Sequence, residues 1–135
     1  AVSIDRFFNP NSELQQCGVA NLVLCRQDCC QDSDACDVAH SMTNTLTVVG
    51  HLRDHFKESL SFAQIKQEID AGNPICTHIS WSNNGGHIAV IGGYQEGSQI
   101  IAIYDPLYHY SELEYDNFLH SYQHEGHWDE SYYLK

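Results

Sequence analysis

Three residues of this chain have the types and settings that thiol chemistry needs. Cys17 opens an apolar run, Cys17-Gly-Val-Ala-Asn-Leu-Val-Leu-Cys25, in which Val19, Leu22 and Val23 recur at helical spacing. A cysteine in the first turn of a helix sits in the positive end of the helix dipole, which favours a thiolate. Gly18 leaves room for close backbone approach beside it. His87 follows Gly85-Gly86 and begins an apolar strand-like run. Asp105 ends the next such run and precedes Pro106, which sets the exit of the chain. If those two runs are antiparallel neighbours, the imidazole and the carboxylate meet at one sheet edge. A thiol brought there completes a nucleophile, a base and an orienting acid. Singly, each residue has a plainer reading: a buried thiol, a surface imidazole, an Asp-Pro turn.

The elements that must position these groups are legible from period and punctuation. Residues 1–16 read as a mixed, polar N-terminal extension with a turn at Asn9-Pro10-Asn11-Ser12. Residues 17–72 read as mainly helical. Besides the Cys17 helix there is a candidate over Val38–Val49, ended by Gly50. Another begins at Ser61-Phe-Ala-Gln64, a capping box, with Phe62, Ile65 and Ile69 on one face and a stop at Gly72. From residue 73 the period changes. Pro74–Ser80, His87–Tyr94 and Gln99–Asp105 are short runs rich in Ile and Val, separated by Asn83-Asn-Gly-Gly86 and Gln95-Glu-Gly-Ser98. They predict antiparallel strands. Glu114–Tyr122 predicts a short helix with Tyr115, Phe118 and Leu119 inward, and Trp128–Leu134 a last strand. Helices first and sheet second make a single α+β domain over 1–135.

Composition narrows the classes. The chain has 135 residues, 42% hydrophobic and 18% charged, which suits one globular core. Its formal charge is -12, spread along the whole length with no basic stripe, so a phosphate backbone is excluded as a partner. No apolar run reaches the ~18 residues of a membrane span. No basic-then-apolar leader opens the chain, and the absent initiator Met implies a processed or trimmed product.

Of six cysteines, Cys25, Cys29, Cys30 and Cys36 fall within twelve residues. Two disulfides among these four would imply an oxidising compartment and a secreted protein. Free buried thiols and a thiolate metal site are the alternatives, although Cys30 and Cys36 make a poor second zinc pair. Cys76, in an apolar strand, reads as inert. Asp28, Asp32, Asp34 and Asp37 lack the Gly and distal Glu of a calcium loop, so no metal is assigned. His109, His120, His124 and His127 lie among acids and read as a solvated surface, or else a pH-sensitive or metal-binding face. Tyr104, Tyr108 and Tyr110 flank Asp105, either as packing or as the lining of a substrate groove.

Taken in order, Gln16-Cys17-Gly18-Val19-Ala20, Leu60–Ile69 with Gly72-Asn73-Pro74, Gly86-His87-Ile-Ala-Val-Ile91-Gly92-Gly93-Tyr94 and Ile103-Tyr104-Asp105-Pro106 resemble the papain-like cysteine peptidases. The compact bacterial branch is nearest: the bacteriocin-leader-processing peptidases and related papain-like effector and secreted proteases. The resemblance covers most of residues 15–135. It implies a helical part against a small antiparallel sheet, with Cys17 as nucleophile, His87 as base and Asp105 as orienter. It also implies an endopeptidase without a cofactor, acting on a peptide or protein substrate through an acyl-enzyme. The family usually has a Gln six residues before the nucleophile as an oxyanion donor. Asn11 stands at that offset here, with Gln15 and Gln16 as the alternatives. Acidity near the groove favours basic substrate segments. The same triad also serves deamidases, transglutaminases and amidases, and a papain-like fold without turnover would be a binding module. The chain is also compatible with being part of a larger parent polypeptide.

Overall fold

A computed structural model describes all residues, Ala1–Lys135. The chain forms two compact units, Ala1–Leu52 with Lys135, and Arg53–Leu134.

The first unit holds three helices, α1 (Val2–Phe8), α2 (Gln16–Leu24) and α3 (Met42–Val48), with a 3-10 turn at Asp34–Cys36. Helix α1 lies within residues 1–16, for which the sequence predicts only a turn at Asn9-Pro10-Asn11-Ser12. Its stability is tertiary: the buried Asp5 carboxylate accepts the Ser12 hydroxyl and pairs with His51 Nε2 at 2.8 Å. Helix α2 forms as predicted, but only Val19 is buried on it, and Leu22 is 51% exposed. Helix α3 begins at Met42 rather than Val38, because Ser41 caps it by accepting the Asn44 N–H at 3.3 Å. Its threonines are tolerated because Thr45 and Thr47 donate to the carbonyls four residues back.

The second unit is a six-stranded sheet with two helices. The strands are β1 (Leu52–Phe56), β2 (Ile75–Ser80), β3 (Gly86–Gln95), β4 (Ile100–Asp105), β5 (His109–Glu114) and β6 (His127–Leu134), in the spatial order β1-β6-β2-β3-β4-β5. The pairs β2–β6, β2–β3, β3–β4 and β4–β5 are antiparallel. Strands β1 and β5 are largely polar, with Arg53-Asp54-His55 and Ser111-Glu112 at their centres, so neither forms an apolar run. Helix α4 (Phe62–Asp70) opens with the predicted capping box, Ser61 and Gln64 exchanging both hydrogen bonds. Helix α5 (Tyr115–Ser121) sets Phe118 fully into the core. That core joins Leu60, Ile65, Ile75, Ile79, Ala89, Ile91, Ile101, Ile103, Tyr122 and Trp128 to Phe118. Burying each large aliphatic side chain contributes about 1.5–3 kcal/mol. The α+β class read from the sequence is the class observed.

Candidate active site

The sheet places the imidazole and the carboxylate together. His87 lies one residue into β3 and Asp105 is the last residue of β4. Val90 pairs with Tyr104 in the antiparallel register, so the start of one strand lies beside the end of the other. His87 Nε2 lies 2.6 Å from Asp105 Oδ2. A carboxylate only accepts, so Nε2 carries a proton, and in the neutral ring this is the tautomer that leaves the lone pair on Nδ1.

Asp105 is 7% exposed and saturated with donors. Its Oδ1 accepts the backbone N–H of Leu107 and Tyr108 at 2.7 and 2.9 Å, and its Oδ2 also accepts the Tyr122 hydroxyl at 2.7 Å. Burial alone would push this carboxyl up. The hydrogen bonds from Tyr108, Tyr122, His87 and Leu107 outweigh it and hold the group below the usual carboxylate range. The turn role of an Asp-Pro and the orienting role are therefore filled by one side chain, one oxygen for each backbone pair and ring pair. The same bond, with burial as the larger cause, raises the Tyr122 phenol.

Aromatic rings wall the pair. Trp81 lies 5.7 Å from the His87 ring and stacks at 16° on Tyr122, while Tyr108 meets His87 edge-on at 5.7 Å. Such walls exclude water and strengthen the electrostatics between base and acid. Trp81 and Tyr122 were missed in the sequence. The only signal was their position, Trp81 directly after β2 and before the Gly-rich turn, and Tyr122 directly after α5. Of the three tyrosines flanking Asp105, Tyr108 packs against the His87 ring, whereas Tyr104 and Tyr110 are about half exposed and touch each other at 5.2 Å.

The thiol tells a different story. Cys17 occupies the first turn of α2, as expected, but its sulfur is bonded to Cys30. Cys29 is bonded to Cys36, leaving Cys25 free and exposed and Cys76 free and buried. The expectation of two disulfides confined to Cys25, Cys29, Cys30 and Cys36 is thus corrected, as is that of a free Cys17. The reason is geometric. Cys25 caps α2 in a left-handed conformation, whereas the Cα of Cys30 comes within 4.9 Å of that of Cys17. In this oxidised form position 17 offers no thiolate. Burial pushes the Cys76 thiol up to about 12, so it is inert as expected.

Around Cys17, Gln15 is the N-cap of α2 without a capping hydrogen bond, and its Oε1 lies 3.8 Å from the Cys17 sulfur. Gln16 is the first helical residue and Asn11 lies in the exposed turn after α1. A side chain at Gly18 would meet only Leu14, at an ordinary 3.5 Å, so close approach does not demand glycine there. The four C-terminal histidines are exposed. The one tight group of three ligand-type side chains is Asp28, Cys29 and Cys36, and its two sulfurs are joined to each other. No helix is long and apolar enough to cross a membrane.

No curated protein and no solved structure matches the chain. The model of the Peptidase_C39 like family matches residues 27–133, a stretch that includes His87 and Asp105 and begins after Cys17. That match takes in well over half of the chain and agrees with the α+β layout. The chain therefore belongs to the Peptidase_C39 like family, which points to a cysteine peptidase.

Proposed function

We propose that the chain, in its reduced form, is a cysteine endopeptidase working through Cys17, His87 and Asp105. The observation that carries this reading is the His87–Asp105 contact, which commits Nε2 and frees Nδ1 as a base. Reduction of the Cys17–Cys30 bond by an external thiol yields two cysteines and one oxidised thiol pair, and so supplies the nucleophile. His87 Nδ1 takes the Cys17 proton, and the thiolate attacks the peptide carbonyl. The carbon–nitrogen bond breaks as the imidazolium protonates the leaving amine. Water, deprotonated by the same nitrogen, then releases the acid and regenerates the thiol. The Cys17 backbone N–H supplies one oxyanion donor. Among Asn11, Gln15 and Gln16, Gln15 has its side-chain amide beside the Cys17 sulfur, but through the accepting Oε1, so its amide nitrogen must turn toward the substrate to serve as the second donor. The disulfides fit a protein released into an oxidising, extracellular setting.

The test is a mass spectrum after treatment with an electrophilic peptide mimic. Reduced protein is expected to gain one adduct at Cys17, absent in Cys17→Ala and in the oxidised form. Product analysis separates peptidase from deamidase: new peptide termini in one case, a one-dalton gain without scission in the other.

The disulfide at Cys17 favours a second reading, a binding module whose cystine is purely structural. On that reading the reduced thiol labels only near its ordinary pKa of about 8.5 and with no dependence on His87.

A further inference from the structure

One face of the β4–β5 ribbon is unlike the rest of the sheet. Tyr104 pairs with Tyr110, Ala102 with Glu112 and Ile100 with Glu114, so these six side chains share that face. Tyr104 and Tyr110 are 54% and 55% exposed. The Tyr104 ring occupies the space over Gly92, where a Cβ would come within 2.6 Å of it. Tyr110 donates its hydroxyl to Glu112 at 2.6 Å. Beside them opens a shallow cavity of about 290 Å³ lined by Gly93, Tyr94, Gln95, Ile100, Ala102 and Glu112. Strand β5 is also the edge of the sheet, with one side of its backbone unpaired.

Charge says what suits this surface. From Gln67 through Leu134 the chain contains no Lys or Arg, so Glu112 and Glu114 have no neighbouring cation in sequence to balance them. Tyrosine faces attract cations, apolar floors accept the methylene stems of long basic side chains, and carboxylates pair with their heads. The acids recur every second residue along β5, which is the side-chain period of an added strand. The same ribbon carries Asp105 of the candidate site on its other face: His109, the residue before Tyr110, pairs with Asp105, whose side chain projects opposite to Tyr104.

We propose that β5 and the Tyr104–Tyr110–Glu112–Glu114 face dock an extended cationic segment of the protein substrate, with Lys or Arg at alternate positions. This deepens the peptidase reading, and only the word substrate rests on it. The docking itself needs no catalysis.

The test uses the full, disulfide-intact chain and three peptides. One alternates Lys with Thr, one alternates Glu with Thr, and one has the same Lys and Thr content with the lysines contiguous. The alternating Lys peptide is expected to bind most tightly and to shift the amide resonances of residues 109–114. Glu112→Gln with Glu114→Gln should weaken it roughly fivefold, the scale of two exposed ion pairs. Asp34→Asn with Asp37→Asn, an equal change of charge in the first unit, should alter it less than about twofold. Equal effects of the two double variants, equal binding of the contiguous peptide, or shifts confined to other residues would overturn the proposal. Activity of the reduced protein separates the two claims. Binding at β5 with no cleavage sinks the peptidase reading alone, and cleavage without perturbation of β5 sinks the docking surface alone.

Discussion

His87 and Asp105 meet through Nε2 and Oδ2 at 2.6 Å, and that single contact occupies Nε2 and leaves Nδ1 as the ring nitrogen not bound to Asp105. It also ties the proposed orienting role to stability, because the same carboxylate holds Tyr122 and two backbone N–H groups. Asp105→Ala leaves these donors with no partner in a buried place, at a cost of about 3 kcal/mol. Asp105→Asn keeps the shape, loses less stability and still misdirects the ring. We expect urea unfolding to rank wild type, Asp105→Asn, Asp105→Ala. We also expect kcat/KM to fall by roughly 10²–10⁴ in Asp105→Asn. Wild-type turnover in Asp105→Asn would sink the orienting role.

On the proposed function, the Cys17–Cys30 bond makes peptidase activity depend on reductant. Cys30→Ser removes the partner and leaves the Cys17 thiol free. Peptidase activity of this variant is expected without added thiol, whereas the wild type should be silent until reduced. Closing a loop of this separation stabilises by about 3 kcal/mol, so the variant should melt lower. The comparison to make is initial rate against dithiol concentration for both proteins. A variant that stays silent at every concentration while remaining folded supports the structural-cystine reading instead.

What the sequence revealed and what it hid differ in range. The Ser61–Gln64 capping box is local, and both of its hydrogen bonds are present. The meeting of His87 and Asp105 was legible because two period-2 runs joined by a tight connection have few ways to pair. Helix α1 was not legible, because it rests on Ser12 and His51 reaching Asp5. Nor was the partner of Cys17. Adjacent Cys29 and Cys30 diverge to different partners, and only the fold decides which goes where. Trp81 and Tyr122 come together from the end of a strand and the end of a helix, a convergence that no spacing encodes.

Acid should expose the Asp105 network. The folded carboxyl lies below its ordinary value of about 3.9, so the unfolded chain binds the proton more readily. The stabilisation is complete above that value and is lost as pH falls through the folded one. Tyr122→Phe removes one of the hydrogen bonds that hold the carboxyl down, so the folded value rises toward the unfolded one. The acid-unfolding midpoint of Tyr122→Phe, followed by circular dichroism, is therefore expected at higher pH than that of the wild type. An unmoved midpoint would mean that the phenol does not stabilise the carboxylate.

Gly126 controls the aromatic wall from behind. It is buried, and a Cβ there would come within 2.5 Å of the Trp81 ring and 2.6 Å of the Ile79 side chain. Ile79 belongs to the core and gives little, so Gly126→Ala must move Trp81. Trp81 is the ring beside His87, so its displacement lets water reach the His87–Asp105 pair and weakens the field that orients the imidazole. Two readouts should move together: the indole N–H resonance of Trp81, and kcat of the reduced enzyme, which is expected to drop about tenfold with little change in KM. The overpacking itself costs about 1–3 kcal/mol, so the protein should remain folded at 25 °C. A shifted indole with unchanged kcat would show that Trp81 covers the pair without aiding it, and an unshifted indole would show that Ile79 yields instead.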